Sequence, residues 1–106
     1  MSRKRNRLQE FKSDFLFLAE RGRLTHSSLS TYLEKGGKIN TKDAKNNTAL
    51  ILAMWSKHKA VAALLIKAGA DIFARDQHGK NALDYAKQNG WQDIIALIAT
   101  SRRRAA

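Results

Sequence analysis

Apolar residues recur three and four positions apart in two short stretches near the middle of the chain, residues 50–54 and 60–68. This spacing predicts two amphipathic helices, each with one buried face. Thr48 precedes the first stretch and is a candidate N-cap, because its hydroxyl can accept a backbone N–H that the helix leaves free. Gly69 follows the second stretch, where a left-handed residue commonly ends a helix. The pattern predicts a unit of turn, helix, turn and helix.

This unit is repeated at an interval of 33 residues. The segment 43–50 (DAKNNTAL) corresponds to the segment 76–83 (DQHGKNAL), and the apolar positions that follow both segments also correspond. Asn46 occupies the position of Gly79. Asparagine is the residue that best replaces glycine where φ is positive, so the same turn is expected in both units.

A third, degenerate unit precedes these two. The segment 36–39 lies 33 residues before the segment 69–72, but the region around residues 25–28 contains extra residues. Upstream, four apolar residues at near-helical spacing are expected to lengthen the first helix and to cover one end of a stack of units. These residues are Leu8, Phe11, Phe15 and Leu18.

Three segments resemble ankyrin repeats: 65–72 (LIKAGADI), 79–86 (GKNALDYA) and 89–95 (NGWQDII). The resemblance covers roughly residues 14–101 and implies an all-α solenoid of stacked helix–turn–helix units with finger turns. The Thr-Pro-Leu-His tetrapeptide of the family is altered, to Thr-Ala-Leu-Ile at 48–51 and to Asn-Ala-Leu-Asp at 81–84. The polar network between repeats is therefore expected to differ from that of the family.

The repeat boundaries predict three parts of the chain. The parts are a basic N-terminal extension (1–12), an ankyrin-repeat domain (13–101, with repeats at about 13–42, 43–75 and 76–101) and a basic C-terminal tail (102–106). Arg102 stands where the glycine of a further repeat would be, so the array is expected to stop after three units. Three units are close to the practical minimum for a stable stack.

Positive charge is concentrated at the two ends of the chain. Of the net charge of +11, residues 1–12 contribute +4 and residues 102–104 contribute +3, which leaves +4 for residues 13–101. Basic runs of this kind either bind phosphate backbones with release of counterions or simply solvate the ends of a chain. The candidate anion-binding residues are Arg3, Lys4, Arg5, Arg7, Arg102, Arg103 and Arg104.

Candidate catalytic and metal-binding residues form no pattern with a known chemistry. His26, His58 and His78 are far apart, and the chain has no HExxH motif and no cysteine. There is no Gly-x-Ser-x-Gly elbow and no phosphate-binding loop. Asp71, Asp76 and Asp84 are better explained as turn and capping residues than as paired catalytic carboxylates. We therefore predict that the protein is not an enzyme, binds no metal and uses no cofactor.

Composition also bears on location. The absence of cysteine fits a reducing compartment, and no stretch approaches the roughly 20 apolar residues that span a bilayer. We therefore expect a cytoplasmic protein. By analogy with the family, delivery into a host cell as an effector is an alternative.

The resemblance implies a protein–protein interaction module that binds a partner through a concave groove and finger turns. Trp55 and Ser56 follow the apolar pair at 53–54, and the corresponding positions of the family face the groove; the alternative is that Trp55 packs in the core. Basic residues on the finger edge favour an acidic partner surface. The predicted partner-binding residues are Arg21, Lys42, Ala44, Lys45, Asn47, Trp55, Ser56, Arg75, Gln77, His78, Lys80, Gln88 and Asn89. Binding of nucleic acid or an anionic surface by the basic tails is the alternative function.

Overall fold

The computed structural model describes the backbone of residues 7–105 and the side chains of residues 14–101. Across these residues the chain forms six helices: α1 (Arg7–Glu20), α2 (His26–Glu34), α3 (Ala49–Trp55), α4 (Lys59–Lys67), α5 (Ala82–Asn89) and α6 (Gln92–Ala105). The predicted all-α fold is confirmed.

The helices form two rows. The inner helices are α1, α3 and α5, and α3 packs between the other two. The outer helices are α2, α4 and α6; each packs against the inner helix before it, and α4 also packs against α6. Each two-helix repeat therefore buries an apolar face against the next repeat, which is the arrangement of a solenoid.

Side chains at the helix ends explain where the helices of the second and third repeats begin and end. The Thr48 hydroxyl accepts the backbone N–H of Ile51 at 3.2 Å, so the predicted N-cap of α3 is confirmed. Asn81 caps α5 in the same way and exchanges hydrogen bonds with Asp84, each at 3.0 Å. After α4, Gly69 has a φ of 96°, the left-handed conformation expected there.

The first repeat differs from the others in the link between its two helices. Residues 21–25 join α1 to α2, whereas only residues 56–58 join α3 to α4. The extra length expected near 25–28 lies slightly earlier, in a linker that is two residues longer, since residues 26–28 already belong to α2. Thr25 caps α2 at the end of this linker. Phe15 and Tyr32 then hold the two helices together, because their rings stack at 3.9 Å between centroids and 8° between planes.

The exposed end of the third repeat is polar. Ile51 and Met54 of α3 are buried, whereas Asp84 and Lys87 occupy the equivalent positions of α5 and are exposed. Helix α3 has α5 as its next neighbour, and α5 has no further inner helix beside it in the described part of the chain. A polar outer face is typical of a terminal repeat, since an apolar one would be left in contact with water.

Lys57 adopts a backbone conformation that its side chain makes unfavourable. Its φ is 64°, and the residues that follow the other two inner helices at the same point are Gly22 (φ 70°) and Gly90 (φ 69°). A Cβ atom at positive φ costs roughly 1–2 kcal/mol relative to glycine. Replacement by glycine would remove this cost, but the greater freedom of glycine in the unfolded chain would offset part of the stabilisation.

We expect Lys57→Gly to raise the free energy of unfolding by about 1 kcal/mol, because it removes the Cβ atom from this conformation. Urea denaturation of the two proteins measures the change. Lys57→Ala is the matched control, since it removes the charge but keeps the Cβ atom. A glycine variant less stable than the alanine variant would contradict the explanation.

Candidate functional site

The first finger turn, residues 43–47, is folded around the carboxylate of Asp43. The Asp43 Oδ1 atom accepts the backbone N–H groups of Lys45 at 2.9 Å and of Asn47 at 2.8 Å. The Asp43 N–H donates to the Asn47 carbonyl at 3.0 Å, and Asn46 takes a φ of 68°. The side chain of one aspartate thus determines the path of the whole turn.

The second finger turn, residues 76–80, has the same construction. Asp76 Oδ1 accepts the backbone N–H groups of His78 at 2.8 Å and of Lys80 at 3.1 Å. The Asp76 N–H donates to the Lys80 carbonyl at 3.0 Å, and Gly79 has a φ of 74°. The correspondence of Asn46 with Gly79 is therefore confirmed in conformation as well as in sequence.

Hydrogen bonds connect the turns of successive repeats. The Asn46 side chain donates from Nδ2 to the Arg75 carbonyl at 3.1 Å, a bond that a glycine could not make. The Asp71 N–H donates to Asn40 Oδ1 at 2.8 Å and so joins the segments that follow α4 and α2. These two bonds are polar contacts between repeats that lie outside the altered segments 48–51 and 81–84.

Asp76 also joins the second finger turn to helix α5. The Tyr85 hydroxyl donates a short hydrogen bond to Asp76 Oδ2, and both side chains are buried. Burial alone would raise the pKa of Asp76, but the Tyr85 hydroxyl and the N–H groups of Lys80 and His78 hold that pKa below its ordinary value. Burial, together with the adjacent Asp76 carboxylate, raises the pKa of Tyr85 to about 12.

A groove of about 410 Å³ lies beside the two finger turns. It is lined by Glu20, Asp43, Ala44, Lys45, Asn47, Leu52, Trp55, Asp76, Gln77, His78 and Tyr85. We call it the concave groove. Six of the predicted partner-binding residues line it: Ala44, Lys45, Asn47, Trp55, Gln77 and His78. The Trp55 side chain is 62% exposed and is therefore not a core residue.

A larger cavity, of about 660 Å³, lies between the end of α4, the segment 69–73 and α6. It contains none of the predicted partner-binding residues, although Phe73 lines it and is 57% exposed. We take the concave groove as the candidate site because it combines an exposed tryptophan with the polar finger turns, which is the composition typical of an interaction surface.

Three predicted residues near the first two repeats lie outside the concave groove. The Arg21 guanidinium lies 5.1 Å from the centroid of the Phe17 ring. Arg75 donates from its guanidinium to the Gly79 carbonyl at 2.7 Å, so it supports the second finger turn. Lys42 is exposed at the base of the first finger turn.

The four remaining predicted residues lie at the C-terminal ends of inner helices or at the second finger. The Lys80 ammonium donates to Gln88 Oε1 at 3.1 Å. The Asn89 side chain donates to the Met54 carbonyl at 3.2 Å and thereby links α5 to α3. Ser56 is the C-cap of α3. Asn89 thus has a role in packing between repeats that its predicted role in binding did not anticipate.

Five residues of the groove were not predicted. Glu20 was missed because the first repeat was aligned on Arg21. Alignment of the left-handed Gly22 with Lys57 instead makes Glu20 the equivalent of Trp55 in the first repeat. Leu52 lies three residues before Trp55 in α3 and therefore on the same face of that helix. Tyr85 has the same relation to Gln88 in α5. Asp76 was assigned to a turn, where it does lie, and Asp43 begins the equivalent turn one repeat earlier; residues of both turns line the groove.

The histidines are separated in the structure as they are in the sequence. His26 begins α2, His58 is the N-cap residue of α4 and packs against Gly22, and His78 lies in the second finger turn. No cluster of three or more His, Asp or Glu side chains suited to a metal ion occurs within the described residues.

The basic ends lie largely beyond what the structure describes. Arg3, Lys4 and Arg5 lie outside the described residues. Arg7 begins α1 and Arg102–Arg104 belong to α6, which continues to Ala105, but only their backbone is described. The basic residues expected in a C-terminal tail from 102 are therefore in the last turns of a helix.

Comparison with known proteins matches residues 15–104 to the family model described as ankyrin repeats (3 copies). The chain belongs to the ankyrin-repeat family. Its two-row arrangement of helices and its paired finger turns are the architecture of that family, whose members are generally protein–protein interaction modules.

Relatives of this ankyrin-repeat chain include parts of much larger proteins. Potassium channel AKT1 of Arabidopsis thaliana is 33% identical over 80 residues, which cover 76% of this chain and 9% of the channel. Alpha-latrotoxin-Lt1a of Latrodectus tredecimguttatus and alpha-latrotoxin-Lg1a of Latrodectus geometricus are each 36% identical over 62 residues, 58% of this chain and 4% of each toxin. The ankyrin chain thus spans less than a tenth of these relatives. None of its described helices is long and apolar enough to cross a membrane.

We expect Tyr85→Phe to cost about 1–3 kcal/mol at pH 7, because it leaves the buried Oδ2 atom of Asp76 without its hydrogen-bond donor, while the backbone N–H groups of His78 and Lys80 still bind Oδ1. The pKa of Asp76 is lowered by folding, so this stability is present above its ordinary value of 3.8 and is lost as the pH falls through the folded value. The pKa of Tyr85 is raised from 10.0 to about 12, so its contribution is lost over that range as the pH rises. The difference from the native chain should thus shrink in acid and in alkali.

Urea denaturation between pH 2.5 and pH 11 measures that difference. Tyr32→Phe is the matched control in acid, since the Tyr32 hydroxyl donates at 2.9 Å to the Lys38 carbonyl, which does not titrate. A cost of Tyr85→Phe that is the same at pH 7 and pH 2.5 would show that the ionised Asp76 carboxylate is not its source.

Proposed function

We propose that this ankyrin domain binds a partner protein through the concave groove and the finger turns. The observation that carries the proposal is Trp55, an exposed tryptophan in a groove with polar walls. Tryptophan is enriched among the residues that dominate binding energy, and it is usually buried in proteins that have no partner to cover it. The family's general role as an interaction module supports the same conclusion.

The finger turns are suited to provide the edge of such a surface. Asp43 and Asp76 fix their backbones through several hydrogen bonds each, so little ordering is required when a partner binds. Lys45 in the first finger turn and Lys42 at its base are both exposed, and neither has an acidic partner among the described residues. We propose that the partner presents acidic side chains to this edge.

We propose that the domain is located in the cytoplasm and that it acts by binding and not by catalysis. Most of the residues that line the concave groove are exposed or half-buried, whereas catalysis generally needs a pocket from which water is excluded. The titratable groups with perturbed pKa values in the groove, Asp76 and Tyr85, are bonded to each other and to the backbone of a turn. Their arrangement is accounted for by the structure of the second finger.

We expect Trp55→Ala to change the free energy of unfolding by less than about 1 kcal/mol, as an exposed position normally does. The same change should weaken partner binding by about 2 kcal/mol or more, the usual effect of removing a central tryptophan. Partners are captured with the full chain and identified by mass spectrometry. Each partner is then titrated against the native chain and against Trp55→Ala to compare the two affinities.

Phe73→Ala is the matched control for Trp55→Ala. Phe73 is an aromatic residue of similar exposure, 57%, but it lines the other cavity and not the concave groove. If both substitutions weakened binding equally, or if only Phe73→Ala did, the concave groove would not be the binding surface.

A second candidate function is the binding of nucleic acid or another anionic surface by the basic ends. The observation that favours it is the distribution of charge, since residues 1–12 and 102–104 account for +7 of the net +11. Attraction of this kind depends on counterion release and carries little sequence specificity.

We expect any affinity for duplex DNA to fall steeply with salt, with a slope in a double-logarithmic plot of about −0.9 per phosphate contacted. Replacement of Arg102, Arg103 and Arg104 by glutamine should reduce that slope without removing the end of α6. A truncation after residue 101 is less suitable because it also shortens the helix. A slope unchanged by the glutamine replacements would exclude the C-terminal arginines as the contact.

A further inference from the structure

Several aromatic rings of the protein have one of its own cations above them, within the range at which a cation is attracted to the ring. The pairs are Arg21 with Phe17 at 5.1 Å, Lys59 with Trp91 at 5.5 Å and Lys80 with Tyr85 at 5.7 Å. Contacts between intrinsic cations and aromatic rings are therefore common on this surface.

Trp55 has no such cation within the described part of the chain. Its ring lines the concave groove and, at 62%, is the most exposed of the large hydrophobic side chains between residues 14 and 101. Tryptophan is also the aromatic residue that attracts cations most strongly. In a chain with 20 lysines and arginines, a tryptophan face without an intrinsic cation is open to a cation from a partner.

Glu20 contributes an exposed carboxylate to the same groove. Glu20 ends α1 and Trp55 ends α3, and these two helices are neighbours in the inner row. Both residues line the same space of about 410 Å³, so a side chain that enters the groove can reach both of them. No salt bridge or hydrogen bond engages the Glu20 carboxylate among the described residues.

The other carboxylates of the groove are already occupied. Asp43 accepts two backbone N–H groups and the Asn47 side chain, and Asp76 accepts two backbone N–H groups and the Tyr85 hydroxyl. Lys45 also lines the groove, but it belongs to the first finger turn, and its ammonium is not among the cations found over an aromatic ring in the described residues. Glu20 is therefore the groove carboxylate that is available to an incoming cation.

We propose that the concave groove takes a basic side chain of the partner, preferably arginine, between the Trp55 ring and the Glu20 carboxylate. Arginine suits this arrangement because its planar guanidinium stacks on an aromatic face while its N–H groups bind a carboxylate in two places. The proposal rests on the proposed function and adds the chemistry of the anchor. The partner then offers one basic side chain to the groove and acidic side chains to Lys42 and Lys45.

The probe for this anchor is the peptide acetyl-Gly-Arg-Gly-amide, titrated into the full chain labelled with ¹⁵N. The indole N–H signal of Trp55, assigned by its loss in Trp55→Phe, reports occupation of the groove. The citrulline peptide is the matched probe, since it has the same shape as the arginine peptide but no charge. We expect a saturable shift in the millimolar range with arginine and at least fivefold weaker binding with citrulline.

Glu20→Gln should weaken binding of the arginine peptide about threefold to tenfold and leave binding of the citrulline peptide unchanged, because it removes only the negative charge. Glu34→Gln is the control, since Glu34 is an exposed carboxylate at the end of α2 that does not line the groove. It should leave both affinities unchanged.

Equal affinities for the two peptides, or no saturable shift of the Trp55 signal with either, would overturn the anchor. So would a Glu20→Gln variant that binds arginine as tightly as the native chain does. These outcomes would overturn only the arginine anchor, and they can be distinguished from a failure of partner binding through the groove. A groove that binds its partner through a neutral side chain would still show loss of partner binding in Trp55→Ala and not in Phe73→Ala.

Discussion

Burial of the apolar faces between adjacent repeats is the constraint on which the rest of this structure depends. A pair of short helices cannot bury its own apolar face, so each repeat is stable only against its neighbours. Ala53 and Ala86 are fully buried at equivalent positions of α3 and α5, and small side chains there allow the inner helices to approach closely. Close packing of the inner row aligns the ends of α1 and α3, and that alignment brings Glu20 and Trp55 to one groove.

Features that depend on a few neighbouring residues could be predicted from the sequence. The N-cap at Thr48 and the left-handed turn at Asn46 require only local chemistry, and both were expected. The length of the linker 21–25 could not be fixed, because the degenerate first repeat offers no motif there. Because of that uncertainty, Arg21 and not Glu20 was aligned with the groove positions of the other repeats, and Glu20 was not predicted as a groove residue.

Contacts between separate structural elements explain another part of what was missed in the candidate site. The hydrogen bond from Tyr85 to Asp76 spans nine residues and two structural elements. That from Asn89 to the Met54 carbonyl spans two repeats. No periodicity indicates that a turn aspartate is buried beneath a tyrosine, or that a polar residue at a helix end binds a neighbouring helix. The exposure of Trp55, in contrast, agrees with its place just outside the apolar pair of α3.

The polar end of the third repeat determines how this solenoid can be lengthened. A unit added after α6 would cover Asp84 and Lys87, and the removal of two charged side chains from water carries a large desolvation penalty. A second copy of the middle repeat, inserted before the third, would instead pack against the apolar Ile51 and Met54 of the original middle repeat. Its own copies of Ile51 and Met54 would then pack against the third repeat. The array is therefore extensible from within, while its C-terminal repeat resists elongation.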